Sequence, residues 1–272
     1  MNQTVKPRRG SQPHRIRPML YIMNLKLGIP IFPRSALVLE RLSEKSFSAV
    51  IFDLDGTLVG VDNIKKHADD VLKRTLSDLD VGRTSFKDRY DFFFCGAGFL
   101  ALLEKWGITS EESKRSFLNT LSREEYAEKK KLMEQGSAWL YRDAAILEFL
   151  KGKVKLGLVT NSSSKATSLE LEYFKIGHYF DCIISLGDFN NNLLPKPNPA
   201  GIIHCLKTLN ELPSKSIVVG DNFTDVVAGE KSGAHTAIIV RGKQKLHARK
   251  GESMPRIDFR LRSLKQLEQI VR

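Results

Sequence analysis

FDLDGTLVG (52–60) ends an apolar run with two aspartates one residue apart, followed by a glycine. Carboxylates this close repel each other unless a cation lies between them or one of them holds a proton. The run that delivers them, SAVIFD (48–53), is short, β-branched and apolar and stops at a polar residue, as buried parallel strands do. Similar runs follow at VKLGLVT (154–160), DCIISL (181–186), SIVVGD (216–221) and HTAIIV (235–240), with a weaker IDFRL (257–261). Helical patterns lie between them: SSKATSLELEYFKIG (163–177), NPAGIIHCLKTLN (198–210) and DVVAGEKSG (225–233). Strand and helix in alternation predict an α/β fold with a doubly wound parallel sheet.

One interval breaks the alternation. Between about residues 62 and 135 no convincing strand occurs, only helical stretches at IKKHADDVLKRTLSDL, GFLALLEKWGI, SEESKRSFLNTL and REEYAEKKKLMEQ. This predicts an inserted α-helical cap over 61–139, an α/β core from 47–60 and 140–272, and a basic N-terminal extension over 1–46. The insertion starts directly after the aspartate pair and so is placed to cover it.

The formal charge of +12 is carried by the ends of the chain. Residues 1–46 hold nine basic residues against two acids and residues 241–272 hold ten against three, which leaves 24 basic and 26 acidic residues between them. The basic balance therefore says little about the central machinery and argues against nucleic acid as its partner. The Arg-rich, acid-free start is open to reading as a transit peptide or a nucleic-acid arm. A tail, or an upstream start with the true beginning at Met19 or Met23, is the preferred expectation. Cys95, Cys182 and Cys205 are odd in number, widely spaced and without a C-x-x-C, which argues against a disulfide framework and a zinc site and predicts a reducing, cytoplasmic setting. No run reaches the roughly 20 apolar residues of a spanning helix, so a soluble protein is expected.

In an open parallel sheet, ligands collect beyond the carboxyl ends of the strands. The first strand delivers Asp53 and Asp55 there, the second Thr160, Asn161 and Ser162, and the fourth Asp221 and Asp225, while LLPKPNP (193–199) adds Lys196. Acids from two strand ends, a hydroxyl with backbone amides from a third and a lysine between prolines suit a hard cation and a phosphate. Mg²⁺ takes a few carboxylates plus phosphate oxygens and cancels the repulsion among the acids.

In order and wording, DLDGT (53–57), VTNSS (159–163), PKPNP (195–199) and GDNFTD (220–225) resemble the four motifs of the haloacid dehalogenase superfamily, over about residues 47–265. The helical insertion after the first motif looks most like the branch of phosphoglycolate phosphatase and β-phosphoglucomutase. The resemblance implies a Rossmann-like core and a Mg²⁺-dependent phosphatase acting on a small phosphorylated metabolite. In it, Asp53 is the nucleophile, Asp55 the acid and base, and Thr160 and the Asn161 amide the phosphoryl cradle. Lys196 is its counter-charge, and Asp53, the Asp55 carbonyl and Asp221 are the metal ligands. Asp225 either supports the metal or caps the following helix. A phosphomutase of the β-phosphoglucomutase type remains open, as does, less favoured, a nucleic-acid-associated protein using its basic ends. A dehalogenase is disfavoured, because Asp55 would have no proton to give to a departing halide and the family's dehalogenases lack that second acid.

Two departures stand out. Many relatives follow DGTL with Asp and then Ser or Thr, where this chain has Val59, Gly60 and Val61. In FFFCGAGFL (92–100), Gly96 and Gly98 suit either a substrate-meeting turn or a plain helix start, Phe92 to Phe94 are expected to pack the helical core, and Cys95 is read as packing. His67, His178, His204 and His235 lack a second ligand at metal spacing and are expected to be structural or solvated. The basic RGKQKLHARKG (241–251) is expected to be a solvated loop.

Overall fold

Strand β1 spans Ala49–Phe52 in the computed structural model, which describes residues 47–94, 98–188, 193–241 and 254–271. The N-terminal stretch 1–46, Cys95, Gly96 and nearly all of the basic loop after Arg241 lie outside the described residues. All four residues of β1 are fully buried, as a central strand covered on both faces requires.

After β1 the chain forms β2 (Val59–Val61), then α1 (Ile64–Asp78), α2 (Phe86–Phe94), α3 (Phe99–Lys105) and α4 (Glu111–Glu134), and returns through β3 (Ala138–Leu140). Strands β2 and β3 pair antiparallel, Val59 opposite Leu140 and Val61 opposite Ala138, so a two-stranded ribbon joins the helices to the sheet. The sequence reading leaves both strands as plain connections, since three residues carry too little periodicity to register. It also divides α4 in two, whereas the helix is continuous. Nothing between Leu121 and Arg123 is a Gly or Pro breaker, and Ser110 caps its start by accepting from the Ser113 amide. The helices share an apolar cluster around Leu72, Leu103, Trp106 and Phe117, against which Phe92 and Phe93 pack.

The chain continues with α5 (Ile146–Leu150), β4 (Lys155–Thr160), α6 (Ser164–Tyr173), β5 (Cys182–Ser185), α7 (Ala200–Leu209), β6 (Ser216–Gly220), α8 (Phe223–Ser232), β7 (His235–Ile239), β8 (Phe259–Leu261) and α9 (Leu267–Ile270). The expected strands all form, in one parallel sheet of order β5-β4-β1-β6-β7-β8. Cys182 and Cys205 are free and buried in the core between the sheet and α7. Among the described residues no helix is long and apolar enough to cross a membrane.

Strand order decides where chemistry can collect. From β1 the chain runs outward through β4 and β5, then returns to the other side of β1 and runs outward again through β6, β7 and β8. This reversal puts a crevice at the carboxyl end of β1. Phe52 is level with Leu158 on β4 and Val219 on β6, so Asp53, Thr160 and Asp221 leave their strands within a residue or two of one another.

Candidate active site

Asp53 follows β1 directly, its amide donating to the Val219 carbonyl, and its side chain is held from both sides. Lys196 Nζ donates to Asp53 Oδ1 at 2.7 Å, and Thr57 Oγ1 donates to Asp53 Oδ2 at 3.2 Å. Lys196 is itself buried and also donates to Asp225 Oδ1 at 2.6 Å and to the Val159 carbonyl at 2.8 Å. Burial pushes the Asp53 carboxyl up to about 7 against the pull of Lys196, with Asp225 adding to the rise. Burial would lower the Lys196 ammonium, but Asp225 and Asp53 carry it above its ordinary value.

Asn161 fixes the loop that presents Lys196. Its side-chain amide donates to the Lys196 carbonyl at 3.1 Å and its oxygen accepts from the Lys196 amide at 2.8 Å. Thr160 is buried at the end of β4, its hydroxyl accepting from the Ser162 amide at 3.1 Å.

Asp225 lies in the first turn of α8. Its Oδ2 accepts from the Asn222 amide at 3.0 Å, half of a capping box, while its Oδ1 is taken by Lys196. Both oxygens thus have structural partners. Even so, Asp53, Asp221 and Asp225 each bring a carboxylate oxygen within 4.8 Å of the others, an acidic cluster able to hold a metal ion. Oxygen donors so grouped suit a hard divalent cation. Gly56, at φ 81°, makes the approach possible, because a Cβ there would meet Asp221 Oδ2 at 2.2 Å.

Asp55 turns toward the helices. Its Oδ2 accepts from Lys129 Nζ on α4 at 2.8 Å and from Ser162 Oγ at 2.9 Å, while its buried Oδ1 accepts no hydrogen bond among the described residues. Lys129 also donates to Glu170 Oε2 at 2.6 Å and lies 3.8 Å from Glu125. Against the cost of burial, Lys129 holds Asp55 below the usual carboxylate range. Burial and the charge of Asp55 push Glu170 up to about 8.

The sequence reading therefore brings together Asp53, Asp55, Thr160, Asn161, Lys196, Asp221 and Asp225, and it misses Lys129, Glu170 and Arg241. Lys129 sits in a run of three lysines that reads as a solvated face. The usable signal is the spacing of Glu125, Glu128, Lys129 and Leu132, one stripe of α4 that all faces the same cavity. Arg241 donates to the Gly56 carbonyl at 3.2 Å and the Thr57 carbonyl at 2.6 Å, pairs with Asp143, and lies over the Tyr141 ring at 3.5 Å. A clamp on carbonyls has no sequence signature.

A cavity of about 720 Å³ extends from Asp53 and Asp221 to α1, α2 and α4. Phe94, expected in the helical core, lines this cavity with Phe93, and its ring lies 5.0 Å from that of Tyr90 one turn earlier. His67, expected to be structural or solvated, is paired with Glu128 at 2.7 Å in the same wall. Gly98 has φ 76° and precedes α3, the plain helix start of the two readings.

Residues 50–239 match the family model described as haloacid dehalogenase-like hydrolase. The chain belongs to this family. As a haloacid dehalogenase-like hydrolase it is an enzyme, and it is 32% identical to "Phosphoglycolate phosphatase" of Aquifex aeolicus over 73% of this chain and 87% of that protein. It is 29% identical to "Pyrophosphatase PpaX" of Bacillus velezensis over 76% of this chain and 91% of that protein. The fold matches the crystal structure of a predicted phosphoglycolate phosphatase from Haemophilus somnus with a TM-score of 0.57 at 21% identity, over 83% of this chain and 98% of the other.

Proposed function

We infer that the protein is a phosphatase that hydrolyses a small phosphorylated metabolite through an aspartyl-phosphate on Asp53. The observation that carries this reading is Lys196 Nζ, 2.7 Å from Asp53 Oδ1, beside Thr160 and the acidic pair Asp221 and Asp225. The names of its relatives, a phosphoglycolate phosphatase and a pyrophosphatase, agree with it.

Lys196 favours the ionised form of Asp53 that burial alone disfavours, and so prepares a nucleophile. An oxygen of Asp53 forms a bond to phosphorus as the bond to the leaving oxygen breaks, and that oxygen takes its proton from the protonated form of Asp55, the form that Lys129 disfavours. Asp55 then accepts a proton from water as the water attacks phosphorus, which frees phosphate and restores Asp53. Lys129 favours the ionised form of Asp55, the form this second half requires. Thr160 and the Asn161 amide hold the phosphoryl oxygens while Lys196 offsets their charge.

Mg²⁺ fits the oxygen donors of Asp53, Asp221 and the Asp55 carbonyl, with Asp225 supporting from its place on Lys196, and when bound it supplies charge neutralisation at the transferring group. Residues 61–139 act as a cap on the core formed by 47–60 and 140–272. A cytoplasmic, reducing setting suits the free, buried Cys182 and Cys205.

The test is release of phosphate from p-nitrophenyl phosphate with Mg²⁺ present. The wild-type protein should release it and Asp53→Asn should not; equal activity in that variant refutes the reading. Phosphate release, measured against isomer formation from a sugar phosphate, separates hydrolysis from phosphoryl return.

A further inference from the structure

Two helices turn an apolar stripe, and a third one apolar residue, toward the cavity that contains Asp53. From α1 come Ile64, Ala68 and Val71, from α2 Tyr90 and Phe94, and from α4 Leu132. The sets from α1 and α2 follow the three- or four-residue spacing that brings side chains to one helix face. The wall they make is apolar and partly aromatic. Ile64 stays 37% exposed and Phe94 half-buried, so both present apolar surface to a guest.

Every cation that lines this wall except Lys65 is already matched among the described residues. His67 pairs with Glu128, and Glu128 also accepts from Arg74 at 2.9 Å. Lys129 faces three carboxylates, Asp55, Glu170 and Glu125. Lys196 is taken by Asp53 and Asp225, and Arg241 by Asp143 and two carbonyls. Lys65 has no carboxylate partner and lies 5.2 Å from the Tyr90 ring centroid. A second anionic group on a substrate would meet Glu125 and Glu128 with little uncompensated positive charge to hold it.

The size of the space points the same way. About 720 Å³ falls in the roughly 300–1,000 Å³ range of pockets that enclose drug-sized ligands, far larger than a two-carbon phosphate ester needs. An apolar wall whose one unmatched lining cation among the described residues, Lys65, lies by an aromatic ring gives most of its binding energy to apolar area.

Building on the phosphatase reading, we propose that the substrate is a phosphomonoester of an uncharged alcohol of aromatic size, whose apolar group rests on Ile64, Val71, Tyr90, Phe94 and Leu132. The wall selects against esters that carry a second anion. Ala68, between Ile64 and Val71 on the same face, is the position at which one added charge should reverse the choice.

The experiment compares benzyl phosphate with phosphoglycolate and pyrophosphate by phosphate release. In the wild-type protein kcat/KM for benzyl phosphate should exceed that for either probe with a second anionic group by about ten- to a hundredfold, the effect of burying one ring-sized apolar group. Ala68→Lys, checked by circular dichroism for an intact fold, should lower the benzyl phosphate value and raise that for phosphoglycolate. Phosphoglycolate or pyrophosphate equal to or better than benzyl phosphate in the wild type overturns the proposal. Should no ester be hydrolysed, the phosphatase reading fails, and calorimetric binding to Asp53→Asn then decides the subsite alone: tighter binding of benzyl phosphate supports it, and equal or tighter binding of phosphoglycolate overturns it.

Discussion

Lys129 Nζ lies 2.8 Å from Asp55 Oδ2 and so ties the longest helix to the loop that follows the central strand. Ser162 and Glu170 accept from the same ammonium, so one cation on α4 gathers groups from three separate parts of the sheet layer. Removing it leaves carboxylates buried together without a counter-ion. Lys129→Met should therefore lower unfolding free energy by about 3 kcal/mol, read from urea denaturation. Adding Glu170→Gln should recover part of the loss above about pH 8, where Glu170 has given up its proton and repels Asp55; no recovery there would mean that Glu170 does not share the cation.

Glu170 also sets a pH dependence. Its folded value is raised, mainly by burial, to about 8, so the folded state holds a proton that the unfolded chain gives up near 4.5. Stability from this group is full below the unfolded value and is lost as pH rises toward about 8. Glu170→Gln should flatten the decline of the urea midpoint between pH 5 and 8, in experiments spanning that range, relative to wild type.

Asp69 gives the opposite sign. It is buried with Arg89, whose Nε lies 2.7 Å from its Oδ1, and burial is outweighed by Arg89 and Lys73, which hold it below the usual carboxylate range. Its contribution is present above the ordinary carboxylate value of about 4 and lost as pH falls through the depressed folded value. Asp69→Asn should be less stable than wild type at pH 6, and the gap should close as the titration continues below about pH 4. A gap that stays constant with pH would show that the pair is not linked to the proton.

Gly56→Ala should disturb the proposed Mg²⁺ site as well as strain the backbone, because a side chain is disfavoured at φ 81°. A Cβ at Gly56 would meet Asp221 Oδ2 at 2.2 Å, so Asp221 must withdraw. The Mg²⁺ concentration that gives half-maximal phosphatase activity should rise about tenfold or more, the effect of disturbing a ligand's support. Chelation by EDTA should abolish wild-type activity, and added Mg²⁺ should restore it.

Lys196→Met should cut kcat by about 10²- to 10³-fold, the size of losing one preorganised charge-stabilising donor, measured with p-nitrophenyl phosphate. Lys196→Arg should not rescue it. The lysine fits between Asp53, Asp225 and the Val159 carbonyl as a compact point charge, and a planar guanidinium cannot take its three bonds in that space.

The strands and their order along the chain were legible because buried parallel strands are short apolar runs that end abruptly. The residues at those ends, Asp53, Thr160, Asp221 and Asp225, followed from the rule that parallel sheets gather ligands there, with Lys196 supplied by the proline-flanked loop. Periodicity found the helices too, except that it split α4 and passed over the three-residue strands β2 and β3, whose pairing depends on a partner nearly eighty positions away.

By itself the sequence determined which local segments are strand or helix and which residue types stand at the strand ends, since both depend on neighbours a few positions apart. Only the tertiary structure decided that Asp225 spends its oxygens on Lys196 and the Asn222 amide, that Lys129 turns inward while adjacent lysines remain less buried, and that Phe94 faces the cavity. Those outcomes depend on which distant surface a helix face meets. Spacing along a chain fixes the faces of a helix; packing fixes what each face touches.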